Sequence, residues 1–119
     1  MIYTKVLTSA TDVEELIARS YHVPCLIFKH STRCSISSIA KMRLEEDWSF
    51  SSEVLEAYYL DVIAHRPASL HIAETCAVHH ESPQVLLLSQ GECVYDASHL
   101  DITVQEVEEA MTFSQLKVS

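Results

Sequence analysis

The sequence predicts an α/β domain, a small central mixed sheet with helices on both faces in the order βαβαβαββα. Three observations predict it. Apolar runs too short for buried helices alternate with stretches whose apolar residues recur at helical spacing. The last two strand-like runs are joined by Gln90-Gly91, a two-residue hairpin signal. At 119 residues, with 48% of them hydrophobic, the chain fits one core and therefore a single domain over residues 1–119.

Residues 3–8 (YTKVLT) read as a short edge strand. Thr11 to Glu14 (TDVE) is a capping-box pattern: the Thr11 hydroxyl accepts from the amide near Glu14, whose carboxylate reaches back. Val13, Leu16 and Ile17 then follow at helical spacing to about Ser20. Residues 23–30 (VPCLIFKH) form an apolar run suited to a strand buried on both faces. A helix is expected from Cys34 to about Glu46, with Ile36, Ile39, Ala40 and Leu44 as its inward stripe.

The next strand centres on Tyr58 to Val62. Residues 67–78 make a helix that opens on Pro67 and turns Leu70, Ile72 and Ala73 inward. Val85 to Ser89 is a strand, and residues 92–98 are the returning arm of the hairpin. The last helix, over 103–116, carries Val104, Val107, Ala110 and Met111 on one stripe.

Composition removes several function classes. A net charge of −9 disfavours a nucleic-acid surface, which rests on neutralising phosphates, and disfavours docking on anionic membranes. With one glycine in the chain there is no phosphate-cradling glycine loop. The amino-terminal stretch lacks the uninterrupted apolar segment of a signal peptide or membrane span, so a cytoplasmic address is expected. In a reducing compartment the four cysteines read as free thiols.

One cysteine stands apart. From Leu16 to Leu44 there is no Asp or Glu, while Arg19, Lys29, Arg33, Lys41, Arg43, His22 and His30 all fall there. Cys34 lies inside this cationic island, at the expected start of a helix. A thiol is nucleophilic only as thiolate, and both cations and a helix amino terminus favour that form. Cys25 and Cys93 in strands and Cys76 in a helix read instead as small buried hydrophobes.

One turn after Cys34 stands Ser37, where a dithiol oxidoreductase carries its second cysteine. Serine can hydrogen-bond a thiolate but forms no disulfide, so the site is monothiol. A phosphatase loop would need Arg at position 40, which is Ala. A cysteine-protease pairing with His30 lacks an orienting third group. Cys76, His79 and His80 have no fourth zinc ligand at usable spacing, so no metal site is expected. Pro83, just before a buried strand, is well placed for a cis peptide, although trans is the commoner state.

Together, FKHSTRCSIS (28–37), ESPQ (81–84) and SQGECVYDASH (89–99) resemble the monothiol bacilliredoxins, the YtxJ-type family of the thioredoxin-like superfamily. The resemblance spans nearly the whole chain. It implies a thioredoxin-like fold and exchange with proteins that carry a low-molecular-weight thiol, bacillithiol, in a mixed disulfide. Cys34 would be the attacking thiol, Ser82 and Pro83 the cis-proline loop facing it, and Thr32 and Arg33 part of the approach.

With Lys29 and Ser37 these make the candidate substrate contacts. No tightly bound cofactor is implied; the small thiol is a co-substrate, and the partners are S-thiolated proteins. Resolution of a mixed disulfide by Cys76 is a subsidiary expectation.

The chain departs from the family pattern T-C-P-I-S in having Arg33 before the cysteine and Ser35 after it. Phe28 also occupies the place of the buried aspartate of thioredoxins, so proton transfer from a carboxylate there is not expected. Two rivals remain: a binding module holding an iron–sulfur cluster between two chains, with Cys34 exposed at the dimer contact, and a redox-inert adapter.

Overall fold

The computed structural model describes residues 2–116. Its elements are β1 (Tyr3–Val6), α1 (Ala10–Arg19), β2 (Cys25–His30), α2 (Ser35–Asp47), β3 (Glu56–Asp61), α3 (Arg66–Cys76), β4 (Gln84–Ser89), β5 (Glu92–Ser98), a 3-10 turn (His99–Asp101) and α4 (Val104–Phe113). The strands form one sheet in the order β1-β3-β2-β4-β5. β1, β3 and β2 run parallel, while β4 and β5 are antiparallel additions.

β2 and β4 are buried at every position, and strand alternation divides their side chains between two cores. Leu26, Phe28, Val85 and Leu87 meet Ala40 and Leu44 of α2 and Val107 and Met111 of α4. Cys25, Ile27, Leu86 and Leu88 meet Val13 and Leu16 of α1 and Ile72 of α3. Each fully buried Leu or Phe contributes roughly 1.5–3 kcal/mol, which presses the helices onto the sheet. Among the described residues no helix is long and apolar enough to cross a membrane.

The hairpin is as expected. Gln90 and Gly91 both have positive φ (54° and 79°), the two-residue turn whose twist matches paired strands. A Cβ at Gly91 would also strike the Tyr21 ring. α4 likewise follows the sequence, with Thr103 capping it by accepting from the Glu106 amide at 3.1 Å.

Other details depart from expectation. α1 is capped by Ser9, not Thr11: Ser9 has extended backbone and its Oγ accepts from the Asp12 amide at 3.2 Å. Glu14 does not reach back; its carboxylate meets His71 Nε2 at 3.0 Å. β3 is centred earlier than expected because its parallel register pairs Cys25 with Glu56 and His30 with Asp61. On α2, Ile36 and Ile39 are exposed, and the inward face is Ser37, Ala40 and Leu44. On α3, Leu70 points outward while Ala68, Ser69 and Ile72 face the sheet.

Candidate functional site

The carboxyl end of β2 supplies the site. After His30 the chain turns through Ser31–Cys34, with Thr32 and Arg33 at the corner and the Cys34 amide donating to Ser31 O at 3.2 Å. Cys34 is then the N-cap of α2, with extended backbone (φ −115°, ψ 119°) and no side chain capping the first turn. The orphan amides of that turn are therefore left for whatever sits at the Cys34 sulfur. Cys34 is half-buried, and Thr32 and Arg33 are exposed beside it.

The register of β2 and β4 brings in the second segment. Lys29 pairs with Gln84, so Ser82 and Pro83 continue past the end of β4 alongside His30, on the sheet edge from which Cys34 departs. The Ser82–Pro83 peptide is cis. Pro83 O accepts from the His99 amide at 3.0 Å, which carries the 3-10 turn to the same edge. At that rim His99 Nε2 and His79 Nε2 each lie 3.6 Å from a Glu81 carboxylate oxygen.

Two expected substrate contacts are not contacts. Lys29 is fully buried: alternation puts it on the face of Cys25 and Ile27, beneath α3, where Nζ donates to Ser69 O at 3.0 Å and lies 3.3 Å from His80 Nδ1. Burial pushes its pKa down to about 8. Ser37 is also fully buried, and its hydroxyl is occupied. Its Oγ accepts from the Ser31 amide at 2.9 Å and lies 2.7 Å from His30 Nδ1. It positions the Cys34 turn rather than touching a thiolate.

The cationic island does not survive folding as a unit. Arg19 forks onto Glu56 at 3.0 and 3.2 Å, and Lys41 pairs with Glu45 at 2.9 Å. Arg33 is left as the exposed cation next to Cys34.

His30, by sequence a member of the cationic island and a protease-type partner, is central to the site's support. It is buried, stacks on Phe28 with ring centroids 5.8 Å apart, and is held below the usual histidine pKa, chiefly by desolvation and then by Lys41. The signal was present: period-two alternation places it with Leu26 and Phe28 on the α2 face of β2.

The remaining cysteines separate from Cys34. Cys25 is buried, donates to Val23 O at 3.3 Å, and is pushed up to about 12. Cys76 ends α3 with its thiol against Cys93, on the row Cys25–Leu88–Cys93. That row is four residues, about 13 Å, down the sheet from the Lys29–Gln84 pair beside the site. Cys76 is thus not placed as a resolving thiol for Cys34. No group of three or more potential metal ligands gathers among the described residues. A cleft between β1 and α2, lined by Ile2, Tyr3, Val6, Lys41, Glu45 and Tyr59, does not include Cys34.

The chain and its fold have known counterparts. The family model described as monothiol bacilliredoxin BrxC matches residues 5–107. A solved structure described as a candidate oxidoreductase with a thioredoxin fold is 32% identical, with a TM-score of 0.75 over 92% of this chain and 93% of that one. The thioredoxin of Malassezia sympodialis superposes with a TM-score of 0.70 at 15% identity, covering 95% of this chain and 91% of its own. Fasciola hepatica thioredoxin gives 0.63 at 21% identity, covering 96% of this chain and 100% of its own; at such identities the likeness is one of fold. With a thioredoxin fold, a thiol redox function and a family match over most of its length, the chain belongs to the monothiol bacilliredoxin BrxC family.

Proposed function

We propose that this redox enzyme removes a low-molecular-weight thiol of the bacillithiol class from S-thiolated proteins, with Cys34 as the sole exchanging thiol. One observation carries the reading: a half-buried cysteine heads α2 while Ser37, one turn on, is buried and hydrogen-bonded inward.

The Cys34 thiolate attacks the small-thiol sulfur of the mixed disulfide. That S–S bond breaks as a Cys34–small-thiol disulfide forms, and the client sulfur leaves as thiolate and takes a proton from water. With no second cysteine in reach, the adduct waits for a second small thiol. Attack by that thiol on the adduct releases a small-molecule disulfide and regenerates Cys34. No resident cofactor takes part. Arg33 supplies positive potential for a carboxylate-bearing thiol, and the backbone at Ser82 and Pro83 offers an extended edge for the client segment. The reaction belongs to a reducing compartment such as the cytoplasm.

The test uses a reporter protein carrying one bacillithiol mixed disulfide. Wild-type protein should release the reporter thiol and gain the bacillithiol mass on the peptide containing Cys34, and Cys34→Ser should do neither. Release at an unchanged rate in Cys34→Ser, or an adduct mapped to another cysteine, would eliminate the proposal.

A further inference from the structure

Away from Cys34, the other sheet face carries two thiols that the exchange reaction does not use. On α3, Ser69, Ile72 and Cys76 fall at i, i+3 and i+7, so Cys76 continues the inward stripe at the helix end. On β5, Cys93 reaches the same core because of a bulge. Leu87 pairs with Tyr95 but Leu88 pairs with Cys93, leaving Val94 as the extra residue. Without that insertion Cys93 and Tyr95 would share a face. With it, Tyr95 packs into the α2/α4 core and Cys93 into the α1/α3 core, where Cys76 also packs.

There Cys76 and Cys93 are neighbours against one core, and the Cys93 S–H donates to Tyr95 O at 3.4 Å. Their ionisation is split: the neighbouring Cys93 thiol, then the Lys29 ammonium and His71, favour the Cys76 thiolate, while Cys76 and burial hold Cys93 protonated. Lys29 is a buried cation bonded to neutral groups, Ser69 O and His80. Neither cysteine is fully buried.

We infer that Cys76 and Cys93 form a second redox site, a dithiol that a peroxide oxidises to a disulfide tying the end of α3 to β5, independently of Cys34. The Cys76 thiolate attacks one peroxide oxygen; the O–O bond breaks, leaving a sulfenic acid on Cys76 and, with one proton, water. The Cys93 sulfur then attacks the Cys76 sulfur and forms the S–S bond. Its own proton joins the departing hydroxide as a second water. Both sulfurs are oxidised by one electron pair in total, and the peroxide is reduced. Cys76 is the attacking thiol, Cys93 resolves, and Lys29 is a positioning residue acting through its field.

The experiment uses full-length Cys34→Ser protein, so the exchange site is absent. After treatment with equimolar hydrogen peroxide, unfolding and alkylation, one thiol should label, Cys25, and the peptides of Cys76 and Cys93 should be joined. Three labelled thiols, or a link through Cys25, would overturn the inference. With Cys93→Ala added, dimedone should trap a sulfenic acid on Cys76; absence of that adduct also counts against it. Lys29→Met should slow thiol loss on the order of tenfold, and an unchanged rate removes the lysine from the site. All these readouts are silent about Cys34 exchange, so the two proposals fail separately.

Discussion

Ser37 Oγ lies 2.7 Å from His30 Nδ1 and 2.9 Å from the Ser31 amide, so the residue one turn after Cys34 faces the protein interior. The bond spans the last residue of β2 and the first turn of α2, and closes the Ser31–Cys34 turn from below. The same side chain denies the site a second thiol and fixes the direction in which the first is presented.

Removing that hydroxyl should cost stability. In Ser37→Ala the Ser31 amide loses its acceptor inside the protein, a deficit of about 1–3 kcal/mol. Urea denaturation should show a lower midpoint at unchanged slope. A midpoint equal to wild type would mean that water reaches the amide and that the hydroxyl is no latch.

The strands and the order of elements were legible because they follow from patterns along the chain: continuous apolar runs, a Gln-Gly turn, and helical spacing in α4. What escaped were features set across the chain. Ala40 and Leu44 of the expected α2 stripe face the core, but Ile36 and Ile39 do not; Ser37 takes the inward position because His30 at the end of β2 and the Ser31 amide after it bond its hydroxyl. Lys29 looked like part of a cationic surface. Its alternation with Cys25 and Ile27 pointed inward, but charge ordinarily argues against burial. Cys93 depended on a bulge at Val94, for which a single sequence carries no local mark. Cys34 itself was readable, since a cysteine between a buried strand and a helix start can only cap that helix.

Arg33 should govern the encounter rate. It is exposed at the corner of the Cys34 turn, whereas Arg19 and Lys41 are paired with carboxylates elsewhere. Arg33→Glu should lower the second-order rate of reaction with bacillithiol disulfide on the order of tenfold at low ionic strength. The difference should shrink as salt screens the field. Stopped-flow rates at low and high salt decide it; equal salt dependence in both proteins would show that Arg33 does not steer the small thiol.

His30 makes stability depend on pH on the acidic side of neutrality. Its folded pKa lies below the ordinary histidine value of 6.5, first through desolvation and then through Lys41, with Asp61 and Glu45 opposing. The unfolded chain therefore binds a proton that the folded chain refuses, and stability falls as pH drops through 6.5 toward the folded value. His80 is shifted the same way, by desolvation and Lys29, and contributes a parallel slope. Denaturation midpoints from pH 7.5 to 5 should fall less steeply in His30→Gln than in wild type. Identical slopes would place the titration elsewhere.

Lys29 gives the opposite lesson to the usual one about charge removal. Its pKa falls from 10.5 to about 8, because desolvation outweighs what its partners return. Between those two values the unfolded chain holds a proton that the folded chain releases, so stability rises with pH across that window, and below about 8 the whole penalty applies. A shift of this size corresponds to about 3 kcal/mol. Methionine has similar length and no charge to desolvate. The carbonyl of Ser69 stands in a helix where the amide four residues on can still donate to it. Lys29→Met should therefore raise stability at pH 7 by about 1–3 kcal/mol, as when other buried charges are replaced by apolar groups of like volume. At pH 10, where wild-type Lys29 is neutral, the advantage should largely vanish. A variant less stable than wild type at pH 7 would show that the bonds to Ser69 and His80 outweigh the burial of the charge.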